Sequence, residues 1–158
     1  AIATDIKTGK EVDFKKGNLL KAIRASISLP LIFTPLNWQG RVLVDGGVSA
    51  PVPTITARKM GADIVIGVNV LQNYAPKSKD SNKRQLLDVF SVVEDSLRIL
   101  QANLARNFLK EADIAIEPIA RGVSWINLLD FIKAKKLIKQ GFQAAALTVP
   151  EIKRLLSK

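Results

Sequence analysis

The stretch from Arg41 to Asn69 restricts the fold more than any other part of the chain. Arg41-Val42-Leu43-Val44 is a short aliphatic strand that stops on Asp45-Gly46-Gly47. Pro53, a residue suited to the first turn of a helix, opens a segment running to Met60, with Gly61 as its stop. Ile64-Val65-Ile66-Gly67-Val68-Asn69 follows, a nearly unbroken apolar run of the kind expected where both faces of a sheet are covered. A helix between two such strands makes a βαβ-like unit. It predicts an α/β fold with a mixed or mostly parallel sheet and helices packed on it.

The rest of the chain fits that class. Ile2 to Asp5 and Glu11 to Phe14 read as short strands around a Lys7-Thr8-Gly9-Lys10 turn. Asn18 is a good N-cap for a helix carrying Leu19, Leu20, Ala22 and Ile23. Pro30 and Pro35 forbid a regular helix and leave an extended loop from about Ser28 to Asn37. Residues 72–84 are polar and read as a flexible loop. Leu86, Phe90, Val93, Leu97, Leu100, Leu104 and Phe108 then recur at spacings of three and four, an apolar stripe expected to pack on the sheet rather than on a partner. Ile114 to Ile116 reads as a last strand. Phe131, Ala134, Leu137 and Ile138 share a helix face opposite Lys133, Lys135, Lys136 and Lys139, and Pro150 is expected to open a terminal helix. Residues 1–158 form a single unit in this reading, with no internal repeat.

Composition removes several kinds of chemistry. With neither cysteine nor histidine, the chain offers no thiol nucleophile, no thiolate or imidazole metal ligand, and no imidazole base for a Ser-His-Asp triad. No metal or other cofactor is expected. No apolar run approaches a membrane span. The net charge of +10 favours anionic partners. Dispersed basic residues, aromatics at only 6% and the lack of a zinc-finger or RNA-recognition motif argue against nucleic acid. The Lys133–Lys139 face could attract anionic lipid, although a solvated helix face is the plainer reading.

Asp45 is the carboxylate in the most informative position. Catalytic groups on an open α/β sheet sit where strands end, and the two glycines that follow let another group approach closely. Taken alone, Asp-Gly after a strand is more often a plain turn. The surrounding residues raise its significance. Ala22-Ile23-Arg24-Ala25-Ser26-Ile27-Ser28-Leu29-Pro30, then Phe33, Pro35, Gly40 and Val44-Asp45-Gly46-Gly47, closely resemble the patatin-like phospholipase family, nearest to its bacterial branch related to the neuropathy target esterases. The resemblance runs on through Pro51-Val52-Pro53 and from Ala57 to Asn69, and includes Ala3-Thr4-Asp5 with Thr8-Gly9 upstream and Asp130-Phe131, Ala134, Ile138 and Gly141 downstream.

That resemblance implies a three-layer α/β/α domain, of which this chain would be the C-terminal part, and a serine acyl hydrolase working through a Ser-Asp dyad. Asp45 would be its catalytic carboxylate, supported by Gly46 and Gly47, with a lipid or other ester as substrate. No Gly-x-Ser-x-Gly elbow and no glycine-rich oxyanion loop occur in the sequence; the nearest approaches are around Ser49 and Ser124. In the family both precede the Asp motif and are expected upstream of Ala1, so the chain by itself is expected to be inactive and to bind that missing half or self-associate. Where relatives often have Asn, this chain has Ala50. Ser26 and Ser28 read as local hydroxyls in a loop lining the site rather than as nucleophiles. Arg24 either grips a phosphate or carboxylate or serves an ordinary helix-end role. The alternative reading is a catalytically dead lipid-binding or regulatory protein on the same scaffold. The expected location is cytoplasmic or peripheral to a membrane, in a bacterium.

Overall fold

A computed structural model of the chain describes residues 1–71, 89–119 and 134–157. The polar loop at 72–84, Leu86, Ser124, Asp130, Phe131 and Lys133 lie outside the described residues. The element order is β1 (Ile2–Asp5), β2 (Glu11–Asp13), α1 (Leu19–Ser26), β3 (Leu36–Trp38), β4 (Arg41–Asp45), a 3-10 turn (Gly46–Val48), α2 (Thr54–Lys59), β5 (Ile66–Val68), α3 (Val89–Leu109), β6 (Ile114–Ile116) and α4 (Ala134–Leu156).

Among the described residues the fold is mixed α/β with two small sheets. The larger has four strands in the order β2-β1-β4-β3, and every pair in it is antiparallel. In the smaller, β5 and β6 pair in parallel, Ile66 beside Ile114 and Val68 beside Ile116. The expected βαβ unit therefore lies one step later in the chain than its sequence suggested. β4 and β5 belong to different sheets, and the parallel pair is β5 with β6, with α3 in the connection that such a pair needs.

Local chemistry explains how the larger sheet is built. Asp5 Oδ1 accepts the Lys7 N–H at 3.0 Å and Gly9 takes a φ of 68°, which closes the β1–β2 hairpin. The β3–β4 hairpin turns on Gln39 and Gly40, both with positive φ (49° and 74°), a two-residue turn whose twist suits paired strands. β3 thus occupies the end of the segment expected to be an extended loop. Asn18 caps α1, its Oδ1 accepting the Lys21 N–H at 3.1 Å. The helix lays Ala22 and Ala25 against the sheet, where Ala3, Ala25 and Leu43 form a core bordered by Val12, Phe14, Leu36 and Trp38. The Phe14 and Trp38 rings lie 5.0 Å apart across it. On the opposite face, Thr4 bonds Ser49 and Glu11 accepts from Thr56 of α2.

A second core joins Val52, Ala105 and Leu109, with Leu71, Phe108 and Ala112 around it. It corrects the reading of α3. The buried residues are Ala102, Ala105 and Leu109, whereas Phe90 and Leu100 of the expected stripe are 68% and 64% exposed. Leu109 meets β5 at Gly67, where a Cβ would stand 2.7 Å from Leu109 Cδ1. α4 runs unbroken through Pro150, which was expected to begin a helix of its own, and buries no residue fully.

Candidate active site

The end of β4 is fixed from three sides. The Asp45 N–H donates to the Ser28 carbonyl at 2.9 Å. The Asp45 carbonyl accepts from Thr4 Oγ1 at 2.9 Å, and Thr4 Oγ1 lies 2.8 Å from Ser49 Oγ. Since Thr4 has one hydroxyl proton and directs it to Asp45, Ser49 supplies the proton between the two hydroxyls. Ser49 is in this way part of the support for Asp45 and is bound on the sheet side. Gly46 is packed so closely on β1 that a Cβ would lie 2.4 Å from the Ile2 carbonyl oxygen. Together these contacts dictate where the Asp45 side chain begins.

That side chain is half-buried. Its Oδ1 accepts the Gly47 N–H at 2.6 Å, which also caps the 3-10 turn. Burial pushes the carboxyl above its ordinary value of 3.8, against the lowering effect of the Gly47 N–H. A carboxylate so placed has one oxygen held by backbone and retains basicity on the other. Asp45, Gly46 and Gly47 line an open cleft of about 480 Å³ together with Ser26, Ala50 and Gln101. The wall is largely apolar, through Ile2, Pro51, Pro53, Val70 and Leu71. Such a cleft suits an apolar ligand carrying a single reacting polar group.

Ser26, at the end of α1, shares the cleft with Asp45. Ser28 does not: it is fully buried, donates to the Arg24 carbonyl at 2.7 Å and receives Arg24 Nη1 at 2.5 Å. Arg24 also donates through Nη2 to the Thr34 carbonyl at 2.9 Å and lies over the Phe33 ring. The guanidinium therefore ties the 27–34 segment to α1 and touches neither Asp45 nor the cleft lining. Gln101 of α3 brings its Nε2 to 3.2 Å from where a Gly47 Cβ would stand. Nothing in its local sequence marks it, because only the packing of α3 brings it to β4. Among the described residues no three carboxylates gather as a metal site would require.

Residues 2–58, which include β1, α1, β4 and Asp45, match the patatin-like phospholipase family. An uncharacterized NTE family protein of Mycobacterium tuberculosis is 33% identical over 110 residues, covering 69% of this chain and 31% of that protein. A second NTE family protein of the same species is 28% identical over 166 residues, covering 92% of this chain and 27% of its own length. The mouse patatin-like phospholipase domain-containing protein 7 is 39% identical over 72 residues, which is 44% of this chain and 5% of that protein. The matched stretch spans less than a third of each of these relatives. Residues 2–58 belong to the patatin-like phospholipase family, and the chain is a relative of its NTE family members.

Proposed function

We propose that this chain supplies the catalytic aspartate of a serine acyl hydrolase acting on lipid esters through a Ser-Asp dyad, and that it is the C-terminal part of a three-layer α/β/α domain. The observation that carries the proposal is Asp45 at the open end of β4, with its pKa raised and its side chain in a largely apolar cleft. Asp45 takes the proton of a serine hydroxyl as that oxygen attacks the ester carbonyl, then gives it to the leaving oxygen as the ester bond breaks. The acyl-enzyme forms, the alcohol departs and Asp45 is again a carboxylate. Water, deprotonated in turn by Asp45, then attacks the acyl carbon, and the proton passes from Asp45 to the serine oxygen as the acyl-serine bond breaks and the acid is freed. The elbow serine and the oxyanion donors would come from residues upstream of Ala1. Gly47 adds no side chain beside the carboxylate, where a Cβ would stand 2.7 Å from Asp45 Oδ1.

Fluorophosphonate labelling of the intact protein tests this reading. A single adduct on a serine within Gly-x-Ser-x-Gly is the expected result, and a protein left unlabelled contradicts it. The proposed setting is cytoplasmic or peripheral to a membrane. Among the described residues no helix is long and apolar enough to cross one.

A further inference from the structure

α1 is amphipathic the wrong way round. Its sheet-facing side carries Ala22 and Ala25, and its larger apolar residues Leu20, Ile23 and Ile27 are turned outward, Leu20 being 77% exposed. Leu19 flanks them, and the segment tied back by Arg24 adds Leu31, Ile32 and Phe33, all exposed. An alanine face is sufficient for packing on a small sheet. Seven large apolar side chains in water are not explained by that packing.

The segment that carries this surface has charges of one sign. Between Asp13 and Asp45 the sequence contains no acidic residue and five cations: Lys15, Lys16, Lys21, Arg24 and Arg41. Lys15 is held by Asp13 at 3.2 Å, but Lys16 and Lys21 are exposed and form no ion pair among the described residues. Lys15 and Lys16 precede the N-terminus of α1, where positive charge opposes the helix dipole and does nothing for the helix itself. Apolar side chains rimmed by lysines are what an anionic lipid surface requires. Ser26 at the end of the same helix lines the cleft that holds Asp45.

We infer that the outer face of α1, with the 31–33 segment, docks on an anionic lipid surface and so sets the mouth of the cleft against it. Leu20, Ile23 and Ile27 enter the headgroup boundary while Lys16 and Lys21 hold the anionic headgroups. The inference deepens the proposed function but does not need turnover to be tested.

The experiment is cosedimentation of the intact protein with vesicles of phosphatidylcholine, alone and mixed with phosphatidylserine. The expected result is binding to the mixed vesicles that is weakened by salt. Leu20→Gln/Ile27→Gln should reduce it roughly tenfold or more, given the apolar area withdrawn. Lys16→Glu/Lys21→Glu should reduce it about 25-fold, at roughly fivefold per lysine near such a surface. Lys136→Glu/Lys139→Glu on α4 should bind as the wild type does. Wild type that stays in the supernatant with both vesicles overturns the inference, as do α1 variants that bind unchanged. An apolar double variant with a lowered Tm, beside a Lys16→Glu/Lys21→Glu protein that binds normally, shows that the rest of the protein covers this face and also overturns it. Vesicle binding is scored without hydrolysis, so an inactive protein that binds contradicts the hydrolase reading alone.

Discussion

Two opposed influences meet at the Asp45 carboxyl: burial, which raises its pKa, and the Gly47 N–H, which lowers it, with burial the larger. The folded state then holds the Asp45 proton more tightly than the unfolded chain does. Ionisation of this group costs stability: the cost is absent below the unfolded value near 3.8 and complete once pH has risen past the folded value. Asp45→Asn keeps an acceptor for the Gly47 N–H and removes the charge. Its Tm at pH 7 is expected at or above that of the wild type, with the difference vanishing as calorimetry is repeated below pH 3.8. A lower Tm at pH 7 would mean that the charge itself stabilises the fold. Gly46→Ala should behave oppositely, because the Ile2 carbonyl leaves no room for a Cβ. A loss of about 1–3 kcal/mol in urea unfolding is expected for such overpacking. At this scale the place of Asp45 at the end of a strand was legible, from an aliphatic run that stops on two glycines. Ser28 is the local, backbone-bonded hydroxyl expected, but its absence from the lining was not legible, because proximity in sequence does not fix side-chain direction and its hydroxyl is turned to the Arg24 carbonyl.

Among elements, the pairing of β1 with β4 is what holds the candidate base in place. Thr4 lies beside Val44 in that pair and sends its hydroxyl to the Asp45 carbonyl. Thr4→Val keeps the side-chain shape but strips both Asp45 O and Ser49 Oγ of a partner. The expected loss is about 1–3 kcal/mol, measured by chemical denaturation. Asn18→Ala should remove the cap of α1 at a cost of about 1 kcal/mol, and an unchanged midpoint would count against that cap. α1, the β1–β2 hairpin and β4 could be read from the sequence because each announces its own ends. β3 could not: it is three residues between Pro35 and the turn, and its signal was the pair Gln39-Gly40, which takes positive φ at both positions. The α3 stripe misled for another reason. Its large residues recur at helical spacing, but the face that packs on Val52 buries Ala105 and Leu109 instead.

For the molecule as a whole, the class of fold was legible and its sheet arrangement was not. Local patterns report strands without their partners, so nothing before the structure said that β4 would join an antiparallel sheet and β5 a parallel pair. The apolar surface left on α1, α3 and α4 has a consequence of its own. Residues such as Leu20, Phe90, Leu100, Phe142 and Leu147 are exposed, and β2 and β3 are sheet edges. Residues 1–158 produced alone are expected to sediment above the monomer mass; a clean monomer would show that these surfaces are tolerated in water.

Ester hydrolysis by the intact protein carrying Asp45→Asn, with its fold verified by circular dichroism, tests the assignment of Asp45 as the base. Replacing the aspartate of a serine-hydrolase triad costs about 10⁴ in turnover, and a dyad in which the aspartate is itself the base should lose at least that much. A folded Asp45→Asn protein with kcat reduced to that extent is the result expected. A folded variant that hydrolyses the ester at close to the wild-type rate would contradict the assignment of Asp45 as the base.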